Sequence, residues 1–386
     1  MKIVVAGYIV GYPLGGMTWH HLNYLLGLAE LGHEVTYLED GADMPPYDPT
    51  TESNGVAAYG VDYLKRTLEN YGYGNIAFHY RFGPVVEGVT VAEINRRLKS
   101  ADLLICVSGV TPLDWYERPS RTLIIDTDPV FTQLRMVHDE SFRNYYKSFT
   151  HAATFGRLIG TPASQLPTHD MDWIPTCQPI MQRYWPLLPS RPGLFVDDRA
   201  FTTLGKWEHA ASRTVTFNGR EYASTKAVEW MKLMSLPSRS PWPLRIAMDK
   251  MLPPVQMQFE DAGWLIDDAV RASKDPAAFR QFIAESAGEL TVAKQIYTEL
   301  PSGWFSDRSA AYLMTGRPVI TQSSGYERWL PTGEGLFCFK TIDEAVAALE
   351  TTRHDHERHC AAARQIAEEF FDSRRVLQSL LDRVMG

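Results

Sequence analysis

A chain of 386 residues is too long for one ordinary core and suits two domains of similar size with a cleft between them. With 45% hydrophobic and 22% charged residues, and no unbroken apolar run of the roughly 18 residues that a bilayer span needs, it excludes a membrane-spanning reading. The formal net charge of −8 repels polyanions, and no clustered Lys/Arg face is visible, which excludes DNA and RNA as expected partners.

The opening residues, MKIVVAGYIV, lack a basic leader with a small-residue cleavage site and predict a buried first strand in a chain that starts at Met1. Cys106, Cys177, Cys338 and Cys360 lie far apart without a C-x-x-C pair, so reduced thiols and a cytoplasmic location are expected.

Lys2 to Tyr8 predicts a strand, Thr18 to Leu31 a helix with a 3.6-residue apolar stripe, and His33 to Leu38 a second strand. This is a βαβ unit, with Gly32 at the helix stop. Further strands are predicted at Ile76 to His79, Leu103 to Val107 and Thr122 to Asp126. Strands this apolar, separated by helices, belong to a parallel sheet covered on both faces. From Pro162 to Asp198 the chain is rich in Pro and Trp and shows neither period; its end reads as a linker.

The second half predicts strands at Ala200 to Leu204, Thr214 to Phe217 and Leu244 to Met248, then a helix at Pro276 to Ser286. A helix at Trp304 to Thr315, strands at Arg317 to Thr321 and Leu336 to Phe339, and a helix at Thr341 to Leu349 complete it. The tail from Asp355 to Val384 predicts one long amphipathic helix or a broken pair, able to return across the first domain. No repeat of 20 to 50 residues appears. The expected fold is α/β, with two Rossmann-like doubly wound domains facing each other across a cleft. Residues 1–196 form the acceptor half, 197–354 the donor half and 355–386 the returning tail.

Several segments carry chemistry. Gly7 to Gly16 is a glycine loop before a helix N-terminus, where backbone N–H groups and the helix dipole favour an anion; Gly15 and Gly16 are its candidates. Its spacing is not G-x-G-x-x-G, although Glu39 and Asp40 end the second strand as in a dinucleotide fold. His20 and His21 fall in the predicted first turn, where the dipole keeps an imidazole neutral and able to accept a proton. Asp126 and Asp128 end an apolar strand at the sheet's carboxyl edge, suited either to a base or to a turn and cap before Pro129. No metal-ligand spacing is present, so no metal is expected. Trp19, Trp115, Trp173, Trp185 and Trp207 suit sugar stacking or interface packing.

Ser302 to Ile320 is the most specific stretch: a polar helix start, an apolar stripe, Gly316 as stop and a Pro318-led strand. Ser306, Arg308 and Ser309 are suitable donors to a diphosphate and Asp307 is a suitable acceptor for ribose hydroxyls. The helix followed by Gly316-Arg317-Pro318-Val319-Ile320 resembles the donor helix and G-x-P-V strand of GT-B glycosyltransferases, and Gly15-Gly16 resembles their N-terminal glycine loop. Thr202 to Trp207, Gly288 to Lys294 and Phe305 to Arg308 look like a bacterial group described as glycosyltransferase-like.

The resemblance implies that Gly205 and Lys206 form the first loop of the donor half, with Lys206 toward the diphosphate, and that Asp307, Arg308 and Ser309 line the nucleotide. Ala310 and Ala311 occupy the stretch where many such enzymes carry a ribose-binding Glu; Glu289 and Lys294 either supply polar groups there or form a surface pair. The implied activity is glycosyl transfer from a nucleoside diphosphate sugar, as co-substrate, to a small hydroxyl- or amine-bearing acceptor, without a covalently bound cofactor. An epimerase of the same fold, an NAD-dependent oxidoreductase and a non-catalytic nucleotide-binding relative are the alternatives.

Overall fold

The computed structural model describes residues 1–42, 44–49, 53–54, 57–187, 199–207 and 214–386. The end of the predicted linker and the 196/197 boundary lie outside the described residues.

Eight strands form the first sheet. From edge to edge they are Trp173–Pro175, His151–Thr154, Thr122–Asp126, Leu103–Val107, Lys2–Ala6, Glu34–Asp40, Ala77–Phe82 and Val85–Gly88. All neighbours are parallel except the last pair. The strand Lys2–Ala6 lies centrally, with Ile3 beside both Val35 and Leu103, so chain order reverses between it and Leu103–Val107. A crevice opens at such a switch point, outside the carboxyl ends of the strands.

The second sheet is wholly parallel: Leu265–Asp267, Leu244–Asp249, Phe201–Lys206, Gly288–Thr291, Val319–Gln322 and Leu336–Phe339. Its switch point lies between Phe201–Lys206 and Gly288–Thr291. Thr214–Phe217, expected as a strand of this half, instead pairs antiparallel with Arg220–Ala223 in a separate hairpin. Its residues alternate between exposed and half-buried and do not form the apolar run of a covered parallel strand.

The helix Gly15–Glu30 is buried along most of its length because both halves pack on it. It contacts Pro276–Glu285 from the second half and Ser373–Met385 from the tail. Gly27 permits the latter approach, since a β-carbon there would stand 2.5 Å from Leu377 Cδ1. The tail is the broken pair, His356–Phe370 and Ser373–Met385. Ile180 N–H donates to Phe371 O at 2.7 Å and Ser373 N–H to Ile180 O at 3.0 Å, stitching the tail to the first half. Among the described residues no helix is long and apolar enough to cross a membrane.

Candidate functional site in the cleft

A cavity of about 650 Å³ separates the carboxyl edges of the two sheets. Its lining comes largely from strand ends and the loops after them: Tyr8 and Tyr12 after Lys2–Ala6, Asp128 after Thr122–Asp126, Lys206 and Asp249 at their strand ends, and Lys294 after Gly288–Thr291. This is the position that a doubly wound sheet gives to a ligand, supplied here from both sides.

The second half contributes the cations. Lys206 lies with Nζ 4.4 Å from the Tyr12 ring centroid, and burial lowers its pKa against the opposing pull of Asp249. Lys226 lines the cleft beyond the hairpin, placed by Thr225, whose hydroxyl donates to Trp207 O at 2.9 Å. Its pKa is lowered to about 7, first by burial and then by the charge of Arg308. Lys294 stands over the Phe131 ring at 4.3 Å and 3.5 Å from Asp128 Oδ1.

Arg308 is held rather than free. Its Nε donates to Glu289 Oε1 at 2.6 Å, Nη1 to Leu204 O at 2.6 Å and Nη2 to Thr291 Oγ1 at 2.8 Å. Two N–H groups remain beyond these three bonds, and the residue still reaches the cleft lining. Glu289 is fully buried, which corrects its reading as a surface partner of Lys294. Gly205 brings the backbone to the cleft beside Arg308.

His20 is the first-half residue that meets this cluster. Its Nδ1 lies 3.1 Å from Asp307 Oδ2 and its Nε2 3.0 Å from Ser108 Oγ. Burial acts to raise the Asp307 carboxyl, but His20 and the Arg308 N–H hold it down at about 2. An ionised Asp307 accepts a proton held on His20 Nδ1, and in the tautomer that carries its proton there Nε2 is an acceptor. The expected first-turn placement is corrected, because the helix begins at Gly15 and His20 lies in its second turn.

Other expected site residues take structural positions. His21 is fully buried against Gly7, its pKa lowered by burial, with neither ring nitrogen bonded. Asp126 accepts from Thr132 at 2.7 Å, Gln133 at 2.9 Å and Thr154 at 2.8 Å, so it anchors its turn away from the cavity lining. Ser309 is buried with its hydroxyl unpartnered. Ser306 starts the helix Asp307–Met314 without a side-chain cap, and its hydroxyl turns toward Asp307 Oδ1 at 3.4 Å. Neither serine lines the cleft.

The glycine loop is also occupied. Gly15 N–H donates to Ser273 O at 2.6 Å and Gly16 N–H to Ser273 Oγ at 3.1 Å, so these donors dock the halves together instead of facing an anion. Glu39 accepts from the N–H groups of Ile9, Val10 and Gly11 at 2.7, 2.8 and 2.6 Å. Its carboxylate therefore holds this chain's own loop where a dinucleotide fold would hold ribose, which removes the feature that suggested NAD.

Lys226, Asp249 and Ser108 were not apparent from sequence. Asp249 ends a strand as Asp126 does, so the same carboxyl-edge rule selects it; Lys226 and Ser108 follow no recognisable spacing. Among the described residues no group of three or more His, Cys, Asp or Glu is placed to hold a metal ion.

No family model and no curated protein matches the chain. Solved structures do. The HepE protein of Anabaena, solved with UDP and glucose, shares 14% identity at a TM-score of 0.58, covering 100% of both chains. An alpha-glucosyltransferase solved with UDP and a 13-mer DNA shares 11% identity at a TM-score of 0.60, covering 100% of this chain and 99% of that one. AviGT4, a glycosyltransferase of avilamycin A biosynthesis, shares 13% at 0.53, covering 100% and 97%. With two doubly wound sheets meeting edge to edge over one cleft, this chain has the fold of the GT-B glycosyltransferases.

Proposed function

We propose that the chain transfers a glycosyl group from a nucleoside diphosphate sugar to a small hydroxyl- or amine-bearing acceptor. The observation that carries this reading is the meeting of Lys206, Lys226, Lys294 and Arg308 with His20 in one cleft. Charge develops on the departing diphosphate in the transition state, and preorganised cations stabilise it most where water is excluded. His20, whose Nε2 would exchange its Ser108 partner for the acceptor hydroxyl or amine, is the base that would deprotonate the acceptor in an inverting reaction; Asp128 is the second candidate. Residues 1–196 then bind acceptor, 197–354 bind donor and 355–386 tie the two.

UDP in two of the similar structures favours a uridine diphosphate donor. One of those proteins was solved with DNA, but the net charge of −8 here favours a small acceptor over a polyanion. Four free cysteines fit a reducing, cytoplasmic compartment.

A thermal-shift screen against UDP, GDP, dTDP, ADP and NAD, repeated with Lys206→Ala and Lys226→Met, tests the reading. One nucleoside diphosphate should raise Tm in the wild type and lose that effect in the variants. Stabilisation by none of the diphosphates, or by NAD alone, would reject the proposal. Product analysis with and without acceptor separates transfer from epimerisation.

A further inference from the structure

Ser108 directly follows the strand Leu103–Val107, at the switch point of the first sheet. Its φ is +65°, in the left-handed region that a serine rarely occupies, and Gly109 follows at +62°. Such strain persists only where the surroundings fix it, and it concentrates at functional positions. Here Ser108 N–H donates to Ile125 O at 2.9 Å, while Thr111 Oγ1 ties the next loop residues to Gly7 O at 2.8 Å.

The side chain completes a directional chain of hydrogen bonds. Asp307, ionised, accepts from His20 Nδ1–H at 3.1 Å, and in that tautomer of the neutral imidazole Nε2 accepts from Ser108 O–H at 3.0 Å. Thr127 Oγ1 lies 2.7 Å from Ser108 Oγ and is the donor of that pair when Ser108 donates to His20. Acid, imidazole and hydroxyl thus stand in the order that activates a serine, on a sharp turn at the carboxyl end of a parallel strand. Ser108 is half-buried rather than sealed in the core.

We propose that Ser108 is a nucleophile activated by His20 and Asp307, giving this chain a second activity: hydrolysis of small carboxylic esters through an acyl-serine. Ser108 Oγ bonds to the ester carbonyl carbon as its proton passes to His20 Nε2. The carbon–oxygen bond to the alcohol breaks, and that alcohol leaves with the proton from His20. Water, deprotonated by His20, attacks the acyl-serine; the carboxylic acid departs and Ser108 regains its proton. No nucleotide or sugar takes part, so the proposal is independent of glycosyl transfer. Because Asp307 belongs to the second half and His20 and Ser108 to the first, the relay is complete only while the halves are closed.

The test treats the full chain with diisopropyl fluorophosphate, maps the adduct by mass spectrometry and follows p-nitrophenyl acetate hydrolysis. Wild type should carry one adduct on Ser108. Ser108→Gly, whose residue suits the left-handed backbone, should carry none, and His20→Ala should label about 100-fold more slowly or less. No adduct on wild-type Ser108, or unchanged labelling in His20→Ala, overturns the proposal. Ser108→Gly should keep the wild-type thermal response to UDP, which also shows that it is folded. Labelling without a UDP response sinks only the glycosyl-transfer reading, and a UDP response without labelling sinks only this one.

Discussion

Lys294 holds its ammonium 3.5 Å from the Asp128 carboxylate, pairing a cation of the second half with an anion of the first across the cleft. Tyr297 donates its hydroxyl to the same carboxylate. Asp128 is 56% exposed, so solvent screening limits what the pair adds to stability. Its larger effect is on charge facing a ligand. Asp128→Asn should tighten UDP binding by removing the competing anion, and Lys294→Met should weaken it, with little change in Tm for either. Isothermal calorimetry checks the two signs, and weaker binding in Asp128→Asn would show that Lys294 does not face the diphosphate.

The buried pair of Arg308 and Glu289 is different in kind. Its side chains are 12% and 0% exposed, and removing one partner leaves a desolvated charge behind. Arg308→Ala should therefore lose about 3–5 kcal/mol of stability, whereas Arg308→Met combined with Glu289→Leu should lose far less than the two single changes summed. Urea unfolding of the wild type, Arg308→Ala, Arg308→Met, Glu289→Leu and the double variant measures this. Additive losses would mean that the pair is not coupled.

Lys226 makes a pH prediction. An amine held at about 7, below the ordinary 10.5, is largely uncharged in the free protein at pH 8. A bound diphosphate restores the charge, so binding should take up a proton, and affinity should fall as pH rises from 7 toward 10. Calorimetry at pH 8 in buffers of different ionisation enthalpy reads the uptake directly, and Lys226→Met should abolish it. Equal proton uptake in that variant would assign the titration to another group.

These residues also show what sequence can resolve. The strands Leu103–Val107, Thr122–Asp126 and Leu336–Phe339 match their predicted limits, because an apolar run bounded by turn residues identifies a covered parallel strand. The helix after Gly303 begins three residues later than its pattern suggests, at Asp307, since an apolar stripe does not mark where helical hydrogen bonding starts. In the site, the strand-end rule finds Asp128 but also Asp126, which the fold spends on Thr132, Gln133 and Thr154. Burial and partner choice decide between two such carboxylates, and both are long-range properties. The His20–Asp307 contact spans 287 positions and could not be read from local spacing.

Glu39 gives a second pH dependence, with the same origin in burial and a shift of opposite direction. Burial raises its carboxyl to about 7 from 4.5, although Tyr37 and three backbone N–H groups pull it down. The native state therefore carries an extra proton between those values, and this group's contribution to stability falls as pH rises from 4.5 to 7, then levels. The span of the effect is roughly 3 kcal/mol. Glu39→Gln removes the titration, so the difference in unfolding free energy between wild type and variant should drift by that order over this window. A difference constant with pH would show that Glu39 is not titrating there.

Gly15 and Gly16 separate two explanations of the glycine loop. A β-carbon on Gly15 would press into the carbonyl of Asp275, backbone that cannot move without shifting the second half. On Gly16 it would stand 3.2 Å from the Phe279 ring, a side chain with room to adjust. If the loop exists to dock the halves, Gly15→Ala should cost about 1–3 kcal/mol and open the cleft to proteolysis, while Gly16→Ala stays close to wild type in stability and UDP affinity. If instead the loop cradled a diphosphate, Gly16→Ala would lose UDP binding while keeping its Tm. Thermal melts and UDP titrations of the two variants distinguish these outcomes. The Ser273 oxygens already bonded to both N–H groups favour docking.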